Sequence, residues 1–188
     1  MIVKPSADGI AAAAGAAAKK GPPPVHLWNP PFCGDLDMRI ARDGTWFYQG
    51  TPIGRAGLVR LFASILKREG DRYFLVTPVE KVGITVEDAP FVAVDFDAAE
   101  GPEGPRITFR TNVEDQVTAG PDHPIRCPRD PATGEPAPYV MIRRDLWARI
   151  DRKSFYRLAE IGEHDGQGSF GVRSGGVFFP LVPSAELD

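Results

Sequence analysis

The sequence predicts an α+β fold with mostly antiparallel sheets, built from two related β-β-α-β-β units. Three observations predict it. Strand-like runs fill most of the chain, and only two amphipathic helical stripes interrupt its body. The stretch "IGRAGLVRL", Ile53 to Leu61, is echoed by "IDRKSFYRL", Ile150 to Leu158; both follow Ile-x-Arg-x-x-apolar-apolar-Arg-Leu. The order strand, helix, glycine turn, strand also repeats around both copies, with Tyr73 as far from Ile53 as Phe170 is from Ile150. Runs of strands broken by few helices belong to the α+β class rather than to a doubly wound sheet, and self-similarity at this scale reads as duplication.

The elements follow in order. "MIVKPSADGIAAAAGAAAKKGPPP" opens the chain. Asp8 and Gly9 interrupt its start, its apolar run is alanine and lysines follow, so it is not read as a signal peptide. Alanine favours helix, Ser6 or Asp8 can cap it, and Pro22–Pro24 end it; residues 1–24 are read as a tail that docks weakly on the body. Asp43-Gly44 signals a two-residue hairpin turn, which pairs Ile40 with Phe47 and Arg39 with Tyr48. Alternation then gives a core face of Ile40 and Phe47 and a mixed face of Arg39, Ala41, Trp46 and Tyr48. Leu58, Leu61, Phe62, Ile65 and Leu66 form a helical stripe, with Gly54 as N-cap, Lys67 and Arg68 in the last turn and Gly70 as the stop. "YFLVTPVE" and "VGITVED" read as strands broken near Pro78, and "FVAVDFD" and "RITFRTNV" as two more. "IRCPRD" and "PYVMIRR" form a hairpin with "PATGEPA" at its tip. "YVMIRRDLWARI" is strand-like, Asp151 caps the second helix, and "DGQGS" turns into "FGVR" and "VFFPLV". The domains expected are an N-terminal one over 25–88 and a C-terminal one over 89–188.

The chain has 188 residues, is 43% hydrophobic and 25% charged, and carries a net charge of −3. That balance builds an ordinary globular core and lacks the basic excess of a nucleic-acid binder. No apolar run is long enough to span a membrane. Cys33 and Cys127 give neither a disulfide framework nor a zinc signature and read as thiols in a reducing cytoplasm. "GQGSFG" fits the dinucleotide fingerprint in letters only, because that fingerprint follows a strand and opens a helix. His26, His123 and His164 lack metal-ligand spacing, and Ser174 has no base near it in sequence. No cofactor or metal is expected.

The arginines carry more. Arg55 and Arg152 are expected at the first helical position, where a cation opposes the helix dipole. An anion held by free backbone N–H groups and guanidinium would compensate. An internal carboxylate partner, or simple exposure to solvent, is the plainer explanation and carries more weight. Arg39, Arg143, Arg144 and Arg149 lie on strands expected near these helix starts, with Trp46 and Trp147 just upstream. Arginine beside aromatic rings suits a flat anion such as a nucleotide.

"WNPPFCGDLDMRIARDGTWFYQGTPIGR", "YFLVTPVEKVGITVEDAPF", "PYVMIRRDLWARIDRKSFYRL" and "SGGVFFPL" together resemble a bacterial family, number 1285 in the domain-of-unknown-function series. The resemblance covers roughly residues 25–183. It implies a two-domain chain with a duplicated core, a C-terminal part superficially like a pleckstrin-homology fold, a ligand site at the domain interface for a nucleotide-like molecule, and a signalling role. It transfers no catalytic residues. The resulting expectation is a cytoplasmic binding protein rather than an enzyme. Its ligand site would use Arg39, Trp46, Tyr48, Arg55, Thr77, Glu80, Lys81, Arg143, Trp147, Arg149 and Arg152. A protein-interaction module or homodimer, docking through the aromatic face of the first hairpin, is the alternative. A hydrolase or transferase using Glu80, Asp95 or His123 ranks last.

Overall fold

The computed structural model describes residues 4–18 and 21–187; the start of the tail and its two consecutive lysines lie outside them. The chain divides into two compact units, Met1–Pro90 and Phe91–Asp188. Among the described residues no helix is long and apolar enough to cross a membrane.

In the first unit the alanine run forms α1 (Ala7–Ala18), and Ser6 Oγ accepts the Gly9 amide at 3.1 Å as a cap does. Ile10 and Ala14 are buried, so this helix is packed, and its neighbour is α2. Six strands follow: β1 (Phe32–Ile40), β2 (Trp46–Tyr48), β3 (Thr51–Pro52), then α2 (Ala56–Ser64), then β4 (Leu66–Glu69), β5 (Arg72–Val76) and β6 (Lys81–Val86). Their order in the sheet is β3-β2-β1-β6-β5-β4. All neighbours are antiparallel except β1 and β6.

The first hairpin differs from the expected register by one residue. Ile40 faces Trp46, Arg39 faces Phe47 and Met38 faces Tyr48. The turn is longer than Asp43-Gly44 alone: the Ala41 amide donates to Thr45 O and the Gly44 amide to Ala41 O, with Gly44 at φ +91°. A one-residue slip exchanges the faces of a strand. Trp46 therefore joins Met38 and Ile40 in the core, 1% exposed, stacked on Phe62 of α2. Phe47 goes to the other face, under the Arg39 guanidinium at 4.2 Å.

The helix is also shifted. Arg55, not Gly54, is the N-cap, and α2 ends at Ser64 with Ile65 as its C-cap. Leu66, Lys67 and Arg68 belong to β4. Gly70, at φ +61°, turns β4 into β5 instead of stopping a helix. The apolar stripe ran on through the junction because Ile65 and Leu66 are both fully buried; pairing of β4 with β5 overrides the helical period there.

The second unit begins with β7 (Phe91–Gly101), β8 (Gly104–Thr111), β9 (Gln116–Thr118), β10 (Ile125–Arg126), β11 (Tyr139–Arg143) and β12 (Leu146–Ile150). Their sheet order, β10-β11-β12-β7-β8-β9, is that of the first unit read from the other edge. β7 is again parallel to its sixth strand, β12. α3 (Arg152–Glu160) and a three-stranded antiparallel sheet follow: β13 (Glu163–His164), β14 (Ser169–Ser174) and β15 (Val177–Pro183). Each helix stands between antiparallel strand pairs, and the duplication shows in the two six-stranded sheets of matching order. Ser174 is fully buried and joins the two sheets of this unit. Its Oγ accepts the Ile107 amide at 2.9 Å and donates to Ala119 O at 2.8 Å. Phe91 and Phe109 are fully buried, each contributing about 1.5–3 kcal/mol of apolar burial.

Candidate functional site

Each helix start was expected to carry an arginine. At α3, Asp151 is the N-cap and its Oδ1 accepts the Ser154 amide at 2.8 Å, so a carboxylate already meets that positive end. At α2 no side chain caps the helix. Arg55 is exposed, and its side chain has no hydrogen bond or ion pair among the described residues. The Ala56 and Gly57 amides precede the first intrahelical donors. The two helix starts are therefore unequal: one is closed by its own carboxylate, and the other presents amides and a guanidinium to solvent.

The rest of the expected residues of the first unit are engaged in the fold. Arg39 pairs with Glu87 at 2.7 Å. Trp46 is core, which removes it as a stacking surface for a ligand; the register slip is the reason. Its Nε1 has no hydrogen-bond partner among the described residues. Tyr48 is half-buried, with the Gln49 amide 3.4 Å from its hydroxyl. Thr77 is fully buried, and its Oγ1 accepts the amides of Val79 and Glu80, so it shapes the β5–β6 turn. Lys81 pairs with Glu69 at 3.0 Å and lies 4.8 Å over the Phe74 ring. The Lys81 ammonium, through its hydrogen bond, holds the Glu69 carboxyl below its usual pKa. Glu80 is half-buried at the end of the turn.

In the second unit the hairpin strands gather two of the expected residues and two that sequence reasoning missed. Arg126 of β10 faces Tyr139 of β11, which faces Arg149 of β12. Met141 faces Trp147, and the two-residue period of a strand puts all of these on one face. The Arg126 guanidinium lies 4.1 Å over the Trp147 ring, and Arg149 donates to the Tyr139 hydroxyl at 3.2 Å. Trp147 Nε1 donates to Asp145 at 2.8 Å. Arg143 ends β11 but turns elsewhere, to Asp115 at 3.0 Å and over Phe91. Arg152 is exposed at the first position of α3. Arg126 and Tyr139 were legible in principle: pairing "IRC" against "PYV" puts them opposite each other.

Arg126 also borders a groove of about 470 Å³, walled by Ile125, Cys127, Ser169, Leu181 and Pro183 among others. Arg126 is exposed and has no carboxylate or other hydrogen-bond partner among the described residues. Burial pushes the Cys127 thiol up to about 11, so it stays protonated and is a wall, not a nucleophile. A guanidinium centred over an indole, with no carboxylate partner among the described residues, beside a groove with apolar walls, can hold a planar anion. No metal-ligating cluster occurs among the described residues.

Profiles of two consecutive domains match the chain. Residues 23–89 match the N-terminal domain of a domain of unknown function, DUF1285, and residues 90–181 match the C-terminal domain of the DUF1285 proteins of unknown function. A crystal structure of a DUF1285 family protein from Silicibacter pomeroyi DSS-3, at 2.50 Å resolution, is 64% identical with a TM-score of 0.89, over 97% of this chain and 99% of that one. Another, from Shewanella baltica OS155 at 1.40 Å resolution, is 32% identical with a TM-score of 0.53, over 66% of this chain and 91% of that one. No curated protein matches. Two profile matches in sequence order, and a relative this similar along its whole length, make the chain a member of the DUF1285 family.

Proposed function

We propose that the protein binds an anionic small molecule of the nucleotide class, with a role in signalling in which ligand occupancy is the input. The observation that carries this reading is Arg126, an exposed guanidinium without a carboxylate partner, laid on Trp147 at the mouth of the groove. A guanidinium desolvated on one side by an aromatic ring keeps its edge for bidentate contacts to phosphate. Arg149 and Tyr139 extend the same face. Arg55 at the open start of α2 is a second position where a phosphate or carboxylate is favoured. The alternative, docking through the aromatic face of the first hairpin, is weakened because Trp46 is in the core.

The test is thermal stability of the full chain with adenosine and guanosine mono-, di- and triphosphates at millimolar concentration. A ligand present at about 100 times its Kd stabilises by about 2.7 kcal/mol. Stabilisation should vanish in Arg126→Ala; loss in Arg55→Ala instead would move the site to the first unit. No shift with any nucleotide, with the protein folded, refutes the ligand class.

A further inference from the structure

The second unit has another groove, of about 340 Å³, with different chemistry. β12 pairs with β7 only at Phe91, Val92 and Ala93, while β7 continues to Gly101 alongside β8. Over Ala98–Glu100, the edge of β7 turned away from β8 has no strand beside it among the described residues. Alternate N–H and C=O groups of an antiparallel strand point out from such an edge. These same residues line the groove together with Pro105, Ile161, Glu163 and Arg173. Ile107 and Val172, both almost fully buried, give it an apolar floor. Ile161, the C-cap of α3, stands 47% exposed beside them.

The rim is acidic. Glu100 and Glu163 line it, and the exposed Asp97 and Glu160 adjoin lining residues in the chain. Against them stand Arg173, held by Glu163 at 2.9 Å, and Arg106, which faces Ala99 across the strands. An anionic ligand is repelled here. A second copy of this chain, itself at −3, meets like charge. The volume is at the small end of the range of about 300–1,000 Å³ for ligand pockets, enough for a side chain or two.

We propose that this groove takes a basic, extended segment of a partner protein, which adds as a strand along the free edge of β7 and seats an aliphatic side chain against Ile107, Ile161 and Val172. Backbone hydrogen bonds to the edge supply affinity, and the groove with its acidic rim selects the sequence. The site is separate from the Arg126 face, so neither reading depends on the other.

The experiment uses the full chain and two fluorescein-labelled peptides, one alternating lysine with valine and one alternating glutamate with valine, read by fluorescence anisotropy. The basic peptide should bind saturably and more weakly as salt rises; the acidic peptide should not bind. Ile161→Asp and Glu100→Lys should each weaken binding at least about tenfold, a change of about 1.4 kcal/mol. Glu100→Lys sits on an exposed strand and keeps the test valid if Ile161→Asp fails to fold. Equal binding of both peptides, or unchanged binding by the folded variants, overturns the proposal. So does a homodimer that Glu100→Lys or Ile161→Asp dissociates, because the occupant is then a second copy.

Discussion

Replacing Trp46 by phenylalanine separates a core tryptophan from a ligand-stacking one. Trp46 is 1% exposed and lies 6.3 Å, centroid to centroid, from Phe62 at an interplanar angle of 20°. Shrinking indole to benzene removes about 40 Å² of buried apolar surface, which costs about 1 kcal/mol. A remaining cavity of about 40 Å³ costs about 1 kcal/mol more if the core does not relax. The opposing effect is the indole N–H, buried without a partner. An unsatisfied buried donor costs about 1–3 kcal/mol, and phenylalanine removes that cost. The two effects nearly cancel, so Trp46→Phe should lie within about 1 kcal/mol of the parent, whereas Trp46→Ala should lose about 3–5 kcal/mol. Urea unfolding followed by circular dichroism measures both, with an unchanged m-value as the check that only stability moved. A loss above about 3 kcal/mol in Trp46→Phe would refute the reasoning, because it would mean the N–H donates to a buried water and that its loss leaves a second unsatisfied group. Nucleotide stabilisation should survive Trp46→Phe unchanged.

Two further predictions concern single carboxylates in the second unit. Asp151→Ala removes the cap on Ser154 N and should cost about 1 kcal/mol in urea unfolding, while Arg55→Ala, which removes no capping bond, should cost almost nothing. Asp95 is held below its usual 3.8 first by the hydrogen bond from Arg157, then by the Phe96 amide and the charges of Arg157 and Arg110. Its folded pKa is depressed, so its contribution is present above the unfolded pKa and is lost as pH falls through the folded one. The stability gap between the parent and Asp95→Asn should therefore narrow as pH is lowered below about 4, and a gap constant from pH 7 to pH 2.5 would contradict the pairing.

What the sequence disclosed was whatever depends on local pattern. Asp151 was legible as a cap because Asp before a polar first turn satisfies an orphan amide wherever it occurs. The α+β class followed from runs of strands broken by few helices, whereas "YVMIRRDLWARI", read as strand-like throughout, turns back at Arg144-Asp145 into the antiparallel pair β11 and β12. The failures lie where two residues of sequence decide a long-range outcome. Asp43-Gly44 announced a hairpin but not whether Thr45 closes the turn with Ala41, and that single step moved Trp46 into the core. Leu66 fits a helical stripe and a strand equally well; only its pairing with Leu75 decides between them. The site arginines were chosen by nearness in sequence to the helix starts. Whether a guanidinium has a partner depends on residues far along the chain: Glu87 for Arg39, Asp115 for Arg143. Arg126 was missed for the same reason, since its ring partner, Trp147, lies two strands away.

The echo of Ile53–Leu61 in Ile150–Leu158 and the duplication of the sheets are two different repeats, and they are out of phase. In sheet order β1 corresponds to β7 and β6 to β12, each pair of end strands running parallel. In that frame α2 sits between the third and fourth strands, and α3 follows the sixth. The corresponding link in the second unit, from Ala119 to Pro124, has no helix. The echo instead marks two short amphipathic helices that each leave one antiparallel pair and enter another. Isoleucine before the start, an arginine at the entry and apolar residues a turn later are what the two share, and an amphipathic helix of this kind suits either place. Arg55 and Arg152 thus match in the echo but not in the structure, where one is the N-cap of α2 and the other the first residue of α3, and they do not correspond in their sheets. An anion site inherited through the sheet duplication would not have placed both arginines against it, and substituting Arg152 is a control for Arg55 rather than a second probe of one site.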